Sequence, residues 1–201
     1  MLKFLKAHLF ESVAYPMAYT SLMTGMPVSE VAGLTWGCID RKQLKLIINK
    51  AWNFSTLEFG PTKNKASKRI IDINPQLAQM FAELKLHQNS ELKMHGKLNP
   101  HNHVFLTNRF VVPNCRTMET MLRTALHKAH IQQDLTFHSF RHTHASLLLY
   151  DRIAIPFISK RLGHQDVNTT IKVYLHIIRE LQNEESQKTI PFTNKLEEMS
   201  N

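Results

Sequence analysis

Two imidazoles, a guanidinium and a phenol fall within about forty residues of one another in this chain, at His138, Arg141, His164 and Tyr174. These are the groups that phosphodiester chemistry needs. His138 and Arg141 are three residues apart, so a helix that begins near Ser139 projects both to one side, beside N-terminal amides that favour an anion. Arginine offers a bidentate fork to two non-bridging phosphate oxygens, and histidine adds a donor. His164 stands between Gly163 and Gln165-Asp166, at a helix end or turn that can aim its ring outward. Tyr174 carries a phenol, which attacks phosphorus once nearby cations support its oxyanion, its free pKa being about 10. Lys63 supplies a mobile ammonium able to protonate a departing oxygen. Taken singly, each residue also reads blandly, as a capping arginine, surface histidines, a core tyrosine and a solvated lysine.

Metal chemistry is the competing class. His138, His142 and His144 give HxxxH and HxH spacings, but no acidic residue occupies the middle positions that HExxH requires and no acidic or thiolate partner lies nearby. No metal centre is expected, and His101 with His103 makes a weaker case still.

The elements that must position these residues follow from periodicity. Leu2, Leu5, Leu9, Val13, Met17 and Leu22 form a helical stripe that Pro16 restarts or kinks. Gly25 is a C-cap, and Pro27 opens a short helix through Leu34. Leu44 to Ile48 and Arg69 to Ile73 are β-rich, so a small three-stranded antiparallel sheet is expected, with the lysine-bearing turn Gly60 to Lys68 as its hairpin tip. Pro75 opens a helix carrying Leu77, Met80, Phe81, Leu84 and Leu86. His87 to His103 reads as a long surface loop and Val104 to Leu106 as a short buried strand or turn. Further helices are expected over 117–129, 139–150, 156–162 and 169–185. The fold class is mainly α with a small antiparallel sheet, an α+β catalytic-domain architecture.

At 201 residues with 43% hydrophobic content, the chain fits one domain with a real core. A formal charge of +9 favours a polyanionic partner such as nucleic acid. Cys38 and Cys115 show no pairing pattern and read as reduced, buried thiols of a cytoplasmic protein. No apolar run is long enough for a membrane span, and Lys6, His8, Glu11 and Ser12 interrupt any signal-peptide core.

Jointly, the boxes resemble the catalytic domain of the tyrosine recombinases, the phage-type integrases. The resemblance runs from Thr24-Gly25 and Glu30 to Trp36, through Thr62-Lys63, to His138-Ser139-Phe140-Arg141-His142-Thr143, Leu162-Gly163-His164 and Tyr174-Leu175-His176. It implies site-specific DNA recombination or integration by a transesterification that needs neither metal nor nucleotide cofactor. Tyr174 would form a 3'-phosphotyrosyl bond. Arg141, His138 and His164 would stabilise the phosphoryl oxygens, with His138 also placed for proton transfer and Lys63 as general acid on the 5'-oxygen. Double-stranded DNA is the implied partner, with Lys65, Lys68 and Lys160 expected to contact it and a tetramer to assemble on it.

Two departures stand out. The family's first box reads Thr-Gly-x-Arg-x-x-Glu, and here Pro27 stands where the arginine belongs. That motivates an alternative expectation, a catalytically impaired DNA-binding or assembly module. Also, only about 23 residues precede Thr24, so residues 1–183 are expected to form a catalytic domain without the N-terminal core-binding domain, and DNA binding to be weak and salt-dependent. The tail over 184–201, with Ile190-Pro191-Phe192, is expected either to dock on a neighbouring subunit or to be disordered.

Overall fold

Proline and glycine punctuate the first helices as the sequence suggests. The computed structural model describes residues 1–133, 135–179 and 181–182, and within it α1 spans Leu2–Ala7 and α2 spans Ala14–Thr24. Pro16 lies in the first turn of α2, where an N–H has no intrahelical acceptor to lose. Every residue of α2 from Ala14 to Ser21 is buried, so this helix forms the axis of the core. It ends at Gly25 in the left-handed conformation, φ 72°. A Cβ there would come within 2.7 Å of Leu162 and 2.8 Å of His144, so both the turn and the packing demand glycine. Ser21 donates to the Met26 carbonyl at 2.8 Å and fixes the corner. Pro27 is then the N-cap of α3, Val28–Ala32.

The expected three-stranded sheet is present. Strands β1 (Ile39–Asp40), β2 (Lys45–Ile48) and, further on, β5 (Arg69–Asp72) pair antiparallel in the order β1-β2-β5, with Ile48 opposite Arg69. Leu46, Ile48 and Ile71 point to the core. The tip differs from expectation. A second antiparallel pair, β3 (Ala51–Asn53) with β4 (Glu58–Gly60), forms the hairpin, and the lysine-rich segment is the return from it, tightened by a 3-10 turn over Lys65–Ser67. Asn64 caps that turn by accepting from the Ser67 amide at 2.9 Å.

Helix α4 spans Pro75–Met94, so the first part of the expected surface loop is helix instead. Its last two turns bury Gln88 and Leu92. Gln88 accepts from the Trp36 indole at 2.8 Å and donates to the carbonyls of His103 and Val104. Polar tertiary bonding therefore orders a stretch whose apolar pattern had faded, while Leu86 faces solvent. Val104 and Phe105 are buried, without strand pairing of their own.

The remaining helices are α5 (Cys115–Lys128), α6 (Phe137–Tyr150), α7 (Ile155–Leu162) and α8 (Val167–Val173). Helix α6 starts two residues before expectation because Thr136 and Ser139 form a capping box. The single helix expected over 169–185 is broken at Tyr174 and resumes over 175–179. Cys38 is buried, but Cys115 is exposed at the start of α5, against the expectation of two buried thiols. Two apolar clusters result: a large one around α2 and a smaller one of Ala145, Leu149, Ile158, Leu162, Tyr174, Ile177 and Ile178. The 184–201 tail lies outside the described residues. Among the described residues no helix is long and apolar enough to cross a membrane.

Candidate active site

Arg141 is pinned between two helix ends. It donates from Nη1 to the Gly25 carbonyl at 2.7 Å and from Nη2 to the Leu162 carbonyl at 2.8 Å. Both helices close on left-handed glycines, Gly25 after α2 and Gly163 after α7, so orphan C-terminal carbonyls hold the cation. Two of five donors are thus committed, and the others remain for an anion. Burial, with the nearby Arg69 charge, pushes the Arg141 pKa down, while Glu30 and Tyr174 oppose that shift.

Beneath Arg141 lies a second polar layer. Arg161 donates from Nε to His144 Nε2 at 3.0 Å, so the His144 proton sits on Nδ1, which donates to the Leu22 carbonyl at 3.0 Å. His144 is therefore neutral scaffolding, and its pKa falls to about 4 because of burial first and the Arg161 charge second. Arg69 is buried on the inward face of β5 and pairs with Glu30 at 2.8 Å, while also donating to the carbonyls of Arg161 at 2.7 Å and Ser67 at 2.8 Å. A Cβ on Gly163, at φ +75°, would come within 2.9 Å of Arg69 Nη1, so glycine lets the α7 end close onto this guanidinium.

The predicted residues meet on this scaffold to differing degrees. His164 follows Gly163, and its Nδ1 lies 2.7 Å from the Thr170 hydroxyl of α8. Burial, then the charges of Arg141, Arg69 and His142, push it down to about 4, so it is neutral at pH 7. Tyr174 is 3% exposed and caps α8. Burial raises its pKa while Arg141 lowers it, which places the guanidinium in the phenol's electrostatic reach. His138 is exposed on the first turn of α6 and meets His142 edge to face, ring centroids 4.4 Å apart at 88°. Its HxxxH spacing from His142 does share a helix face, yet among the described residues no three His, Cys, Asp or Glu side chains gather as a metal would require. Lys63 is exposed; its segment is tied to the site by Ser67, whose hydroxyl faces the Gly163 carbonyl at 3.5 Å. Lys65, Lys68 and Lys160 are all exposed.

Two participants escape a reading by motif. His142 Nδ1 lies 3.1 Å from the Tyr174 hydroxyl, a contact across 32 residues that only tertiary packing creates. Arg69 shares strand parity with Ile71 and Ile73, which is the signal that would have turned it inward.

Three histidines held near pKa 4, His103, His144 and His164, give a pH dependence. The unfolded chain protonates them from about pH 6.5 downward, whereas the folded chain resists until about pH 4. Stability present above pH 6.5 is therefore lost as pH falls through that window. Thermal melts at constant ionic strength should show Tm falling across it; a flat profile would contradict the burial of these rings.

Comparisons with known proteins fall together. A model of the phage integrase family matches residues 3–180. The chain is 30% identical over 171 residues to the integrase of Staphylococcus phage L54a, covering 83% of this chain and 48% of that protein. It is 28% identical over 184 residues to the ICEBs1 integrase of Bacillus subtilis (strain 168), covering 89% and 49%. The fold resembles that of XerA recombinase, with a TM-score of 0.69 and 24% identity over 90% of this chain and 61% of that one. It also resembles the Tn1549 transposon integrase solved in complex with transposon right end DNA, with a TM-score of 0.72 and 19% identity over 90% and 62%. The chain spans about half the length of the curated relatives it matches.

Proposed function

The chain belongs to the phage integrase family, and from that premise we propose that it cleaves and rejoins DNA at specific sites through a covalent bond to Tyr174. The observation that carries this reading is the approach of His142 to the Tyr174 phenol within the electrostatic reach of Arg141, with His164 in turn within reach of Arg141 and His142, on α6 and the ends of α7 and α8, where two glycine-capped helix ends hold Arg141. In the reaction, the scissile phosphate lies against the free donors of Arg141 and the His164 ring. Tyr174 attacks phosphorus, the 5'-oxygen leaves with a proton from Lys63, and a 3'-phosphotyrosyl bond conserves the energy of the broken ester. A 5'-hydroxyl of a second strand reverses the step. The exposed Lys65, Lys68 and Lys160 track the phosphate backbone, and four copies assemble on two duplexes. The compartment is the cytoplasm, where bacterial and phage DNA is found.

A second reading has one specific observation behind it. With Pro27 at the family's first arginine, Arg69 is a second guanidinium whose charge reaches Arg141, but its donors go to Glu30 and two carbonyls. The chain would then bind DNA and cleave it slowly.

The test is a library of nicked duplexes of random sequence, incubated with the full chain and resolved under denaturing conditions. Covalent adducts that map to Tyr174 by mass spectrometry are expected. Binding without any adduct favours the second reading, and neither binding nor adduct refutes both.

A further inference from the structure

We propose that His142, the neighbour of Arg141, is the acceptor of the Tyr174 proton during attack and is therefore itself a catalytic residue. The inference rests on the recombinase reading above and deepens it. Its basis is the 3.1 Å approach of His142 Nδ1 to the Tyr174 hydroxyl, the one hydrogen-bond partner of that oxygen among the described residues. A buried hydroxyl needs an acceptor for its own proton. Were Nδ1 protonated, both groups would offer hydrogens along one line and the phenol would keep a stranded donor, so Nδ1 carries the lone pair and Nε2 the hydrogen.

The surroundings favour the neutral ring. Burial first, then His138 and Arg141, hold the His142 pKa below its ordinary value. The same burial raises that of Tyr174. Proton transfer ahead of attack is thus uphill. Transfer in step with the P–O bond is not, because the phenol becomes acidic as its oxygen gives electrons to phosphorus. The incoming phosphodiester brings a negative charge that offsets Arg141 and makes room for the imidazolium. As the Tyr174 Oη–P bond forms, the proton moves to His142 Nδ1. The P–O5' bond breaks, its electron pair leaves on O5', and that oxygen takes a proton from Lys63. The reverse reaction returns both protons.

His138 is differently placed. It is exposed, and its contact is with the His142 ring, edge to face at 4.4 Å. It is a positioning residue that sets the plane of His142, and the role in proton transfer that the family resemblance gives His138 passes to the ring one turn further along α6.

The experiment has two arms on the full chain. Nitrogen-15 NMR of the histidine rings in the absence of DNA should show His142 in the Nε2–H tautomer at neutral pH. Its titration midpoint should rise in Tyr174→Phe, because a donor that favoured the neutral ring is gone. In single-turnover trapping on a nicked duplex recovered from the random library, His142→Ala should slow adduct formation by about 100-fold, with partial recovery on adding imidazole. Protonated Nδ1 at neutral pH, an unchanged trapping rate, or a loss that imidazole fails to restore would each overturn the assignment. If neither the chain nor a Pro27→Arg form traps DNA, the recombinase reading fails, while the NMR arm still decides whether His142 accepts from Tyr174.

Discussion

Glu30→Ala is expected to destabilise the fold by about 3–5 kcal/mol, because it leaves the Arg69 guanidinium buried without its counter-charge. For a domain of this size that corresponds to a fall in Tm of roughly 6–20 °C. The Glu30 carboxylate meets Arg69 at 2.8 Å with side chains only 6% and 4% exposed, so water does not replace the lost partner. Arg69 cannot swing out to find it, since its Nε and Nη1 are held by the carbonyls of Arg161 and Ser67 and the α7 end closes over it at Gly163. The pair joins α3 to β5 and, through the Arg161 carbonyl, to the last turn of α7 that presents His164. Glu30→Ala should therefore also loosen the site. Replacing both partners together by apolar residues of similar volume should cost far less than the single change, since it removes the desolvated charge along with its partner. Thermal and denaturant unfolding of the two singles and the double give the coupling directly. A Glu30→Ala cost below about 1 kcal/mol would mean the pair is no better than a surface salt bridge.

That pair also shows where sequence reasoning reaches and where it stops. Turn chemistry is local, so Gly25, Pro75 and the break at Gly163 could be placed from the sequence, and with them the C-terminal ends of α2 and α7 and the start of α4. Apolar alternation gave the inward face of β2 and the three-stranded sheet. Apolar periodicity failed where polar groups do the burying. Gln88 sits in the core because Trp36, His103 and Val104 satisfy its amide, so a helix of 20 residues read as a helix followed by a loop. It failed again at Tyr174, since Thr170, Tyr174, Ile177 and Ile178 keep helical spacing across a real break and no residue type marks it. Within the site, His138 and Arg141 were visible as a spaced pair and His164 as a residue after a glycine. The contact of His142 with Tyr174 was not, because it depends on α6 and the end of α8 packing together around Ala145 and Leu162.

Pro27→Arg is expected to raise the rate of covalent trapping by about 10² to 10³, the usual worth of a donor aimed at developing charge on a transferring group. The backbone accepts the change. Pro27 has φ −65° and ψ 154°, an extended conformation that arginine adopts without strain, and as the N-cap of α3 it contributes its carbonyl, which takes the Glu30 and Val31 amides at 3.0 and 3.1 Å whatever the side chain. The cost is the extra freedom of the unfolded chain, about 0.4–1 kcal/mol when a compatible proline is lost. Position also favours it. Residue 27 lies two residues past the Gly25 carbonyl that holds Arg141 Nη1, so a guanidinium there starts from the corner on which the existing one is anchored. Binding should change little and single-turnover trapping much, since a donor used mainly in the transition state raises the rate more than the affinity. If Pro27→Arg traps DNA no faster than the parent chain while remaining folded, the shortfall lies elsewhere, and the two free faces left by Arg141 and His164 suffice for whatever chemistry the chain performs.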